Sequence, residues 1–371
     1  MSGTARNWTL YLAGVIASFG IAVSGPAFAE PDLAAAKAVI EAHSKKPTFT
    51  APGPPFDAKA CMAGKKILSI PVSSTIPFIA GIETSMAQVA KEVGFTFQEW
   101  KNQASPTQWV QGMEFAINNH FNAVDLLSGI IPSTLAPQAA AAKAADVRVF
   151  ASHYMDVTQT KDPTADVSLP MGFSTAGEIM GAWIAVKVGG KANVLVIGSD
   201  DVNQTGPLRK NVQSALDKYC GGGCKNTYVN VPLSDWSTKI QTTVQSALLA
   251  DSSINYVVPI YDSMAQFVLP ALNITGRKDV KIVSFNGTPF VLDLVRRSDV
   301  EMDVGESLDW IGRATLDGYM RALCKLPVPD RLNVPLYIFD ASNAADAGIP
   351  AEFNKGYGNG VDGFTKLWEL K

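Results

Sequence analysis

Few side chains in this 371-residue sequence have the types and spacing that catalysis requires. The histidines, at positions 43, 120 and 153, are far apart, and no cysteine–histidine cluster has the spacing of a zinc site. There is neither a GxxxxGK[ST] phosphate-binding loop nor a GxSxG nucleophile elbow. Asp200 and Asp201 would supply half of a metal site, but no further ligands accompany them, which favours a solvated loop. The sequence therefore predicts no catalytic residue, no metal and no cofactor.

The first 29 residues have the pattern of a secretory signal peptide. Arg6 supplies a positive charge, residues 10–23 form an almost unbroken apolar stretch, and Ala27-Phe28-Ala29 is a small-x-small cleavage site. The competing interpretation is a membrane anchor, but the apolar stretch is shorter than the ~20 residues that span a bilayer, and Gly25-Pro26 interrupt the region. We therefore predict cleavage after Ala29 and a soluble periplasmic protein.

The cysteines are the remaining reactive side chains, and export permits disulfides. Cys220 and Cys224 enclose three glycines, which is typical of a small disulfide-closed turn worth only about 2 kcal/mol by the chain-entropy estimate. Cys61 and Cys324 would pair if the segment before the first strand lies against a helix over 307–324. The alternative is that all the cysteines remain free thiols.

Residues 65–97 contain the unit around which the other elements are predicted to be arranged. An apolar run at 67–72 precedes Ser73-Ser74-Thr75, a helical pattern then ends at Gly94, and a second apolar run begins at Phe95. Such a strand–loop–helix–strand unit places its first loop at the carboxyl edge of a parallel sheet, where ligands bind in open α/β folds. The sequence therefore predicts that residues 73–79 face a ligand.

Strand and helix patterns then alternate along the chain. An irregular stretch over 160–176 interrupts them, and they restart with a helix over 175–189. Two successive runs of strand–helix units predict an α/β fold with two similar doubly wound parallel-sheet lobes rather than one barrel. The chain is long enough for two cores, and its net charge of −3 argues against nucleic acid, which requires a basic face.

The order of these segments resembles the periplasmic sugar-binding proteins of the ribose- and galactose-binding type, the type I solute-binding proteins of ABC importers. The most specific stretch is Phe285-Asn-Gly-Thr-Pro289 after a strand, followed by a strand, Glu306 and a helix. Weaker matches are the stretches at 70–78, 121–125 and 256–265. The resemblance implies a receptor that captures a sugar or sugar-like solute between two lobes and delivers it, unchanged, to an ABC permease.

The resemblance also implies a division of the chain, with hinge crossings near 169–174, 302–306 and 330–337. Its parts are a signal peptide (1–29), an N-terminal leader (30–60), lobe 1 (61–170 and 306–330), lobe 2 (173–303) and a C-terminal crossing and extension (331–371). We expect the leader to be a strap on the surface of a monomer.

The ligand positions of the family, carried over residue by residue, fall on loops that follow strands. They are hydrogen-bonding and aromatic side chains from both lobes: Ser73, Ser74, Phe78, His153, Tyr154, Arg209, Trp236, Tyr261, Asn286 and Glu306. Ile76 and Ile79 accompany them, and the lobe-two arginine position falls on either Leu208 or Arg209. Because His153-Tyr154 replaces the usual Asp-Arg, the pocket is predicted to be more aromatic and less charged than a ribose site. This favours a polyol, a modified sugar or a solute with an apolar part over a plain sugar.

Other functions remain open. A sensory module that presents its ligand to a membrane receptor or kinase would have the same fold. An exported enzyme is disfavoured because the sequence lacks a nucleophile–base pair and a metal cluster. A repressor of related fold is excluded, since an export signal stands where a DNA-binding helix-turn-helix would lie.

Overall fold

The computed structural model describes residues 1–5 and 30–370. The apolar stretch and the cleavage site of the predicted signal peptide therefore lie outside the described residues. Within the described ranges, no helix has both the length and the apolar character that crossing a bilayer requires.

The first lobe is built on a five-stranded parallel sheet with strand order β2-β1-β3-β4-β5. Its strands are β1 (Lys66–Pro71), β2 (Thr96–Glu99), β3 (Ala123–Leu127), β4 (Arg148–Asp156) and β5 (Val167–Met171). Strand β3 is buried throughout and β1 at every position but its first, as expected for strands covered by helices on both faces. The helices in this part of the chain are α1 (Leu33–Ala42), α2 (Ala58–Met62), α3 (Pro77–Val93), α4 (Pro106–Asn118) and α5 (Ala136–Ala144).

The second lobe is built on a six-stranded sheet with strand order β11-β10-β9-β8-β6-β7. Its strands are β6 (Asn193–Gly198), β7 (Lys225–Asn230), β8 (Tyr256–Pro259), β9 (Lys281–Asn286), β10 (Met302–Glu306) and β11 (Leu336–Asp340). Only β11 runs antiparallel to its neighbour. The later helices are α6 (Phe173–Lys187), α7 (Thr205–Cys220), α8 (Trp236–Ala250), α9 (Ala265–Thr275), α10 (Pro289–Arg296), α11 (Leu308–Leu323) and α12 (Gly360–Leu367). The predicted fold class, two α/β lobes with mostly parallel sheets, is confirmed.

Local sequence signals account for the first strand–helix unit. Pro77 lies in the first turn of α3, where its missing N–H costs nothing, and Gly94 ends the helix with φ 95°, a left-handed conformation that glycine adopts without strain. Ile82, Met86 and Val89 form the buried face of α3. Residues 72–76 therefore leave the sheet at its carboxyl edge, as the spacing predicts.

The structure corrects two predicted segments. The stretch over 160–176 is irregular only as far as residue 166, because β5 follows at the edge of the first sheet. Pro170 obscures the strand pattern but is tolerated in an edge strand. Residues 151–154 do not form a loop either, since β4 continues to Asp156. Its pairing with β5 shifts register between Ser152 and Asp156.

The leader and the C-terminal extension both run from the second lobe to the first. Helix α1 packs against α6 and α7, and the backbone N–H of Ile338 in β11 donates to the carbonyl of His43 (2.9 Å). Helix α2 instead packs against α11, which itself packs against α3. After β11 the chain returns in the same direction, and α12 packs against α11. These two terminal segments add two crossings between the lobes.

The two terminal segments also contact each other. The ring of Phe49 lies 4.9 Å from that of Phe364 between centroids, and the N–H of Phe56 donates to the carbonyl of Leu367 (3.0 Å). Trp368 is fully buried, and its Nε1 donates to Asp317 on α11 (2.8 Å). The structure contains both predicted disulfides, Cys61–Cys324 and Cys220–Cys224.

Candidate functional site

A small cavity lies between the lobes, at the carboxyl ends of the strands. Lobe one lines it with Val72, Ile76, Phe78, Ile79, Ser128 and His153. Lobe two lines it with Val202, Gln204, Leu233, Trp236, Tyr261, Ser263 and Asn286. Its volume of about 30 Å³ leaves space for about two water molecules, so the lobes are closed on each other.

A wider groove of about 440 Å³ adjoins this cavity and shares Ile76, Leu233, Trp236 and Ser263 with it. The remaining groove lining is largely polar and includes Ser73, Thr75, Gln103, Ser234 and Ser237. The cleft therefore has an apolar inner part and a polar outer part.

His153 reaches the cavity because its backbone is in an unusual conformation. Its φ of 50° is left-handed, and it lies where the β4–β5 pairing shifts register. Such irregularities re-aim side chains at functional sites. The imidazole Nδ1 is 3.3 Å from the Oγ of Ser128, a residue that is also left-handed (φ 61°). Two strained residues of lobe one thus form one hydrogen-bonded pair at the cavity wall.

A buried carboxylate joins His153 to the second lobe. Oε1 of Glu306, at the end of β10, is 2.7 Å from His153 Nε2 and accepts a hydrogen bond from Asn286 Nδ2 (3.0 Å). Burial raises the pKa of Glu306 above its ordinary value, while His153 and Asn286 oppose the shift. Glu306 does not line the cavity itself. Glu306 holds His153 from lobe one and Asn286 from lobe two, and both of these side chains line the cavity.

The loop that carries Asn286 is fixed by two further buried carboxylates. Asp262 accepts hydrogen bonds from the backbone N–H and the hydroxyl of Thr288 (2.6 Å each), and Asp303 accepts one from the N–H of Gly287 (2.8 Å). Burial raises the pKa of both carboxyls. The buried hydrogen bonds position the β9–α10 loop at the cleft.

Aromatic rings form two walls of the cavity. On lobe one, the ring of Phe78 lies 5.2 Å from the His153 ring between centroids. On lobe two, Trp236 stacks on Tyr261 at 6.0 Å, and its Nε1 donates to Ser199 (2.7 Å). The Tyr261 hydroxyl is 2.8 Å from that of Thr205, and burial raises the pKa of the phenol. These rings are locked by packing and hydrogen bonds, which pre-organises a stacking surface.

Gln204 is a cavity residue that the sequence did not single out. It precedes α7, and its Nε2 donates to the backbone carbonyl of His153 in the other lobe (3.2 Å). The only sequence signal was its place in the loop after β6. The sequence also did not single out the cavity residues Ser128, Val202, Leu233 and Ser263. Their only sequence signal was likewise a position after a strand.

Four of the ten predicted ligand residues lie away from the inner cavity. Ser73 borders the outer groove, and the Ser74 hydroxyl accepts a hydrogen bond from the N–H of Asn102 (3.1 Å). Tyr154 is buried within β4, with its hydroxyl 2.8 Å from that of Ser168 on β5. Arg209 lies in a separate surface groove, 3.8 Å from Asp200, and Leu208 is buried.

The other six predicted residues are brought together by the structure. Phe78, His153, Trp236, Tyr261 and Asn286 line the cavity, and Glu306 lies directly behind two of them. Within the described part of the chain, no group of three or more His, Cys, Asp and Glu is arranged to hold a metal ion. The arrangement can bind and enclose a small molecule through stacking and a few hydrogen bonds.

Several solved structures share this fold. A 5-methylthioribose transporter solute-binding protein from Thermotoga lettingae TMO, in complex with 5-methylthioribose, has a TM-score of 0.68 at 17% identity, over 86% of this chain and 95% of its own. A carbohydrate transporter from Acidothermus cellulolyticus 11B, in complex with myo-inositol, has a TM-score of 0.65 at 20% identity, over 77% of this chain and 97% of its own.

A solute-binding protein from Agrobacterium vitis, bound to α-D-tagatopyranose, has a TM-score of 0.68 at 15% identity, over 78% of this chain and 99% of its own. No curated protein sequence matches this chain significantly. Residues 67–325 match the family described as periplasmic binding protein domain, and this range includes every described residue that lines the cavity. The chain belongs to the periplasmic binding protein family.

Proposed function

We propose that this protein is a periplasmic receptor that captures a sugar or sugar-like solute between its lobes and delivers it, unchanged, to the permease of an ABC importer. The observation that carries the proposal is the cavity at the carboxyl ends of both sheets, lined about equally by the two lobes. The family and the ligands of structurally similar proteins, which include 5-methylthioribose, myo-inositol and tagatose, support it.

Capture requires the lobes to separate. A cavity of about 30 Å³ is too small for a sugar, so a solute enters when the lobes part and is enclosed when they close. We propose that lobe 1 (61–170 and 306–330) and lobe 2 (173–303) move as bodies about the crossings near 169–174, 302–306 and 330–337. The packing of α11 on α3, and of β11 on β10, supports this division.

Calorimetric titration of the mature, folded protein tests the proposal. The panel contains aldoses, ketoses, deoxy sugars and cyclic and linear polyols. We expect saturable binding of at least one member with one site per monomer. Trp236→Ala should weaken that binding at least tenfold, because the stacking wall is lost. Trp183→Phe is the matched control, since Trp183 lies on α6 and contacts Glu301 rather than the cavity. Absence of binding across the panel would contradict the proposal.

A sensory role would use the same binding event but would couple it to a signal rather than to transport. Delivery to a permease predicts uptake of the bound solute by cells that carry the importer, and loss of that uptake without the receptor. Unchanged uptake together with a lost transcriptional response to the solute would favour the sensory role.

A further inference from the structure

The cavity contains a buried hydrogen-bond acceptor that the protein leaves unpaired. Gln204 lines the cavity and is 3% exposed. Its Nε2 donates to the carbonyl of His153, whereas its Oε1 has no partner among the described residues. An unpaired buried acceptor costs the folded protein free energy. A hydroxyl or N–H of a bound molecule would recover that cost by donating to Gln204 Oε1.

The same cavity offers no free charge to a ligand. None of the described residues that line it is Lys, Arg, Asp or Glu. Two titratable side chains line it, and both already have protein partners: His153 is hydrogen-bonded to Glu306 at 2.7 Å, and the Tyr261 hydroxyl lies 2.8 Å from that of Thr205. Arg209, the cation predicted for this site, lies outside in the surface groove. Moving an ion from water into such a cavity, without a counter-charge, is strongly unfavourable.

Most of the inner lining is apolar and comes from both lobes. Phe78 and Ile79 lie on one side, and Val202, Leu233 and Trp236 lie on the other. A ligand hydroxyl placed between these side chains would lose its hydrogen bonds to water without replacement, whereas an alkyl group would gain contact area. Hydroxyl groups are better placed in the outer groove, which has more serine and threonine side chains. In the inner cavity, the hydroxyl of Ser128 already contacts His153 and that of Ser263 contacts Asp262.

We infer that the ligand is an uncharged, partly apolar carbohydrate or polyol. An alkyl or deoxy group lies in the inner cavity between Phe78 and Trp236, one hydroxyl donates to Gln204 Oε1, and the other hydroxyls extend toward the outer groove. The inference rests on the proposed function, since it narrows the class of solute that the same cleft takes.

Matched ligand series test this assignment by calorimetry on the mature protein. Each series changes one substituent from apolar to hydroxylated to anionic: D-fucose, D-galactose and D-galacturonate; 6-deoxy-D-glucose, D-glucose and D-glucuronate; 5-methylthioribose, ribose and ribose 5-phosphate. In the series that binds, we expect the alkyl or deoxy member to bind at least tenfold more tightly than the hydroxylated parent. The anionic member should show no saturable binding.

Two outcomes separate this inference from the proposed function. Equal or tighter binding of the hydroxylated or anionic member would overturn the inference and leave the proposed function standing. Binding of a fully hydroxylated member of the broader panel, with no binding in the three series, would also overturn the inference alone. Absence of binding by every member of the three series and of the broader panel, with folded protein, would overturn both.

Substitution of Gln204 tests the assigned hydrogen bond. Gln204→Leu keeps the size of the side chain and removes the acceptor, so the tightest ligand should bind at least tenfold more weakly. Gln213→Leu is the matched control, because Gln213 is on the exposed face of α7 and contacts Asp217. Thermal unfolding of both variants confirms that they are folded. Unchanged affinity of folded Gln204→Leu would overturn the role of Gln204.

Discussion

At the scale of single residues, the site depends on buried polar groups that are held by one another. Glu306 is inaccessible to solvent, and its Oε1 contacts His153 from lobe one and Asn286 from lobe two. Removing one partner of a buried pair is costly mainly because the other remains buried without it. The pair therefore links ligand-site geometry to the stability of the closed protein.

A double-mutant cycle measures this coupling. His153→Ala should lower the free energy of unfolding by roughly 3 kcal/mol, because Glu306 loses its partner. In a Glu306→Gln background the same substitution should cost much less, since position 306 then has no carboxylate to leave unpaired. Urea unfolding of the four proteins at pH 7 gives the values. Equal costs in both backgrounds would contradict the assigned pairing.

Glu83 gives a residue-level prediction outside the site. This α3 side chain is buried against β1, where Oε1 accepts a hydrogen bond from Ser69 (2.8 Å) and Oε2 has no partner among the described residues. Burial raises the pKa of Glu83 to about 8. The folded protein therefore keeps the proton at pH values where the unfolded chain has released it. Stability contributed by this group is present below about pH 4.5 and is lost as pH rises to about 8.

Glu83→Gln should remove this pH dependence while keeping an acceptor for Ser69. At pH 8 the variant should be more stable than the parent by roughly 2–4 kcal/mol, and the difference should shrink toward pH 5. Urea unfolding at both pH values measures it, with the exposed Glu114→Gln on α4 as control. A difference that does not change with pH would show that Glu83 is ionised in the folded protein.

At the scale of elements, the two terminal segments form a paired layer over the first lobe. Arg321 of α11 donates to the carbonyl of Pro54 in the leader (2.9 Å). Just beyond the leader, the Cys61–Cys324 disulfide joins α2 to the residue that follows α11. The C-terminal extension is anchored to α11 by Trp368. Because both segments also contact the second lobe, they connect the lobes in addition to the expected hinge crossings.

The two disulfides should contribute very differently to stability. Cys61–Cys324 closes a loop with a sequence separation of 263, whereas Cys220–Cys224 spans a separation of 4. The chain-entropy estimate gives about 5.6 kcal/mol for the long loop and about 2 kcal/mol for the short one. Replacing each pair by serines and measuring urea unfolding under non-reducing conditions compares them directly. Equal losses would show that loop length does not govern their contributions.

At the scale of the whole molecule, local signals in the sequence predicted the architecture well. Pro77, Gly94 and the apolar runs mark element ends, and the strand–helix alternation predicts two parallel-sheet lobes. Phe78, Tyr261 and Asn286, which lie at or just beyond the ends of β1, β8 and β9, reach the cleft because the carboxyl ends of parallel strands meet at one edge.

The features that the sequence did not predict depend on neighbours distant along the chain. The irregularity in β4 that aims His153 into the cleft exists only in its pairing with β5. Whether Gln204 or Arg209 reaches the cleft depends on where α7 begins relative to the end of β6. Tyr154 was assigned to a loop, but it lies within β4, and its hydroxyl contacts Ser168 on the neighbouring strand β5 instead of the cleft.

A crystal structure of the protein with its solute bound tests directly whether the cleft between the lobes is the binding site. We predict ligand density between Phe78 and Trp236, within hydrogen-bonding distance of Gln204, with both lobes closed around it. The surface groove of about 940 Å³ beside Arg209 and Tyr228 should contain none. Ligand density confined to that groove, with no solute between the lobes, would contradict the assignment.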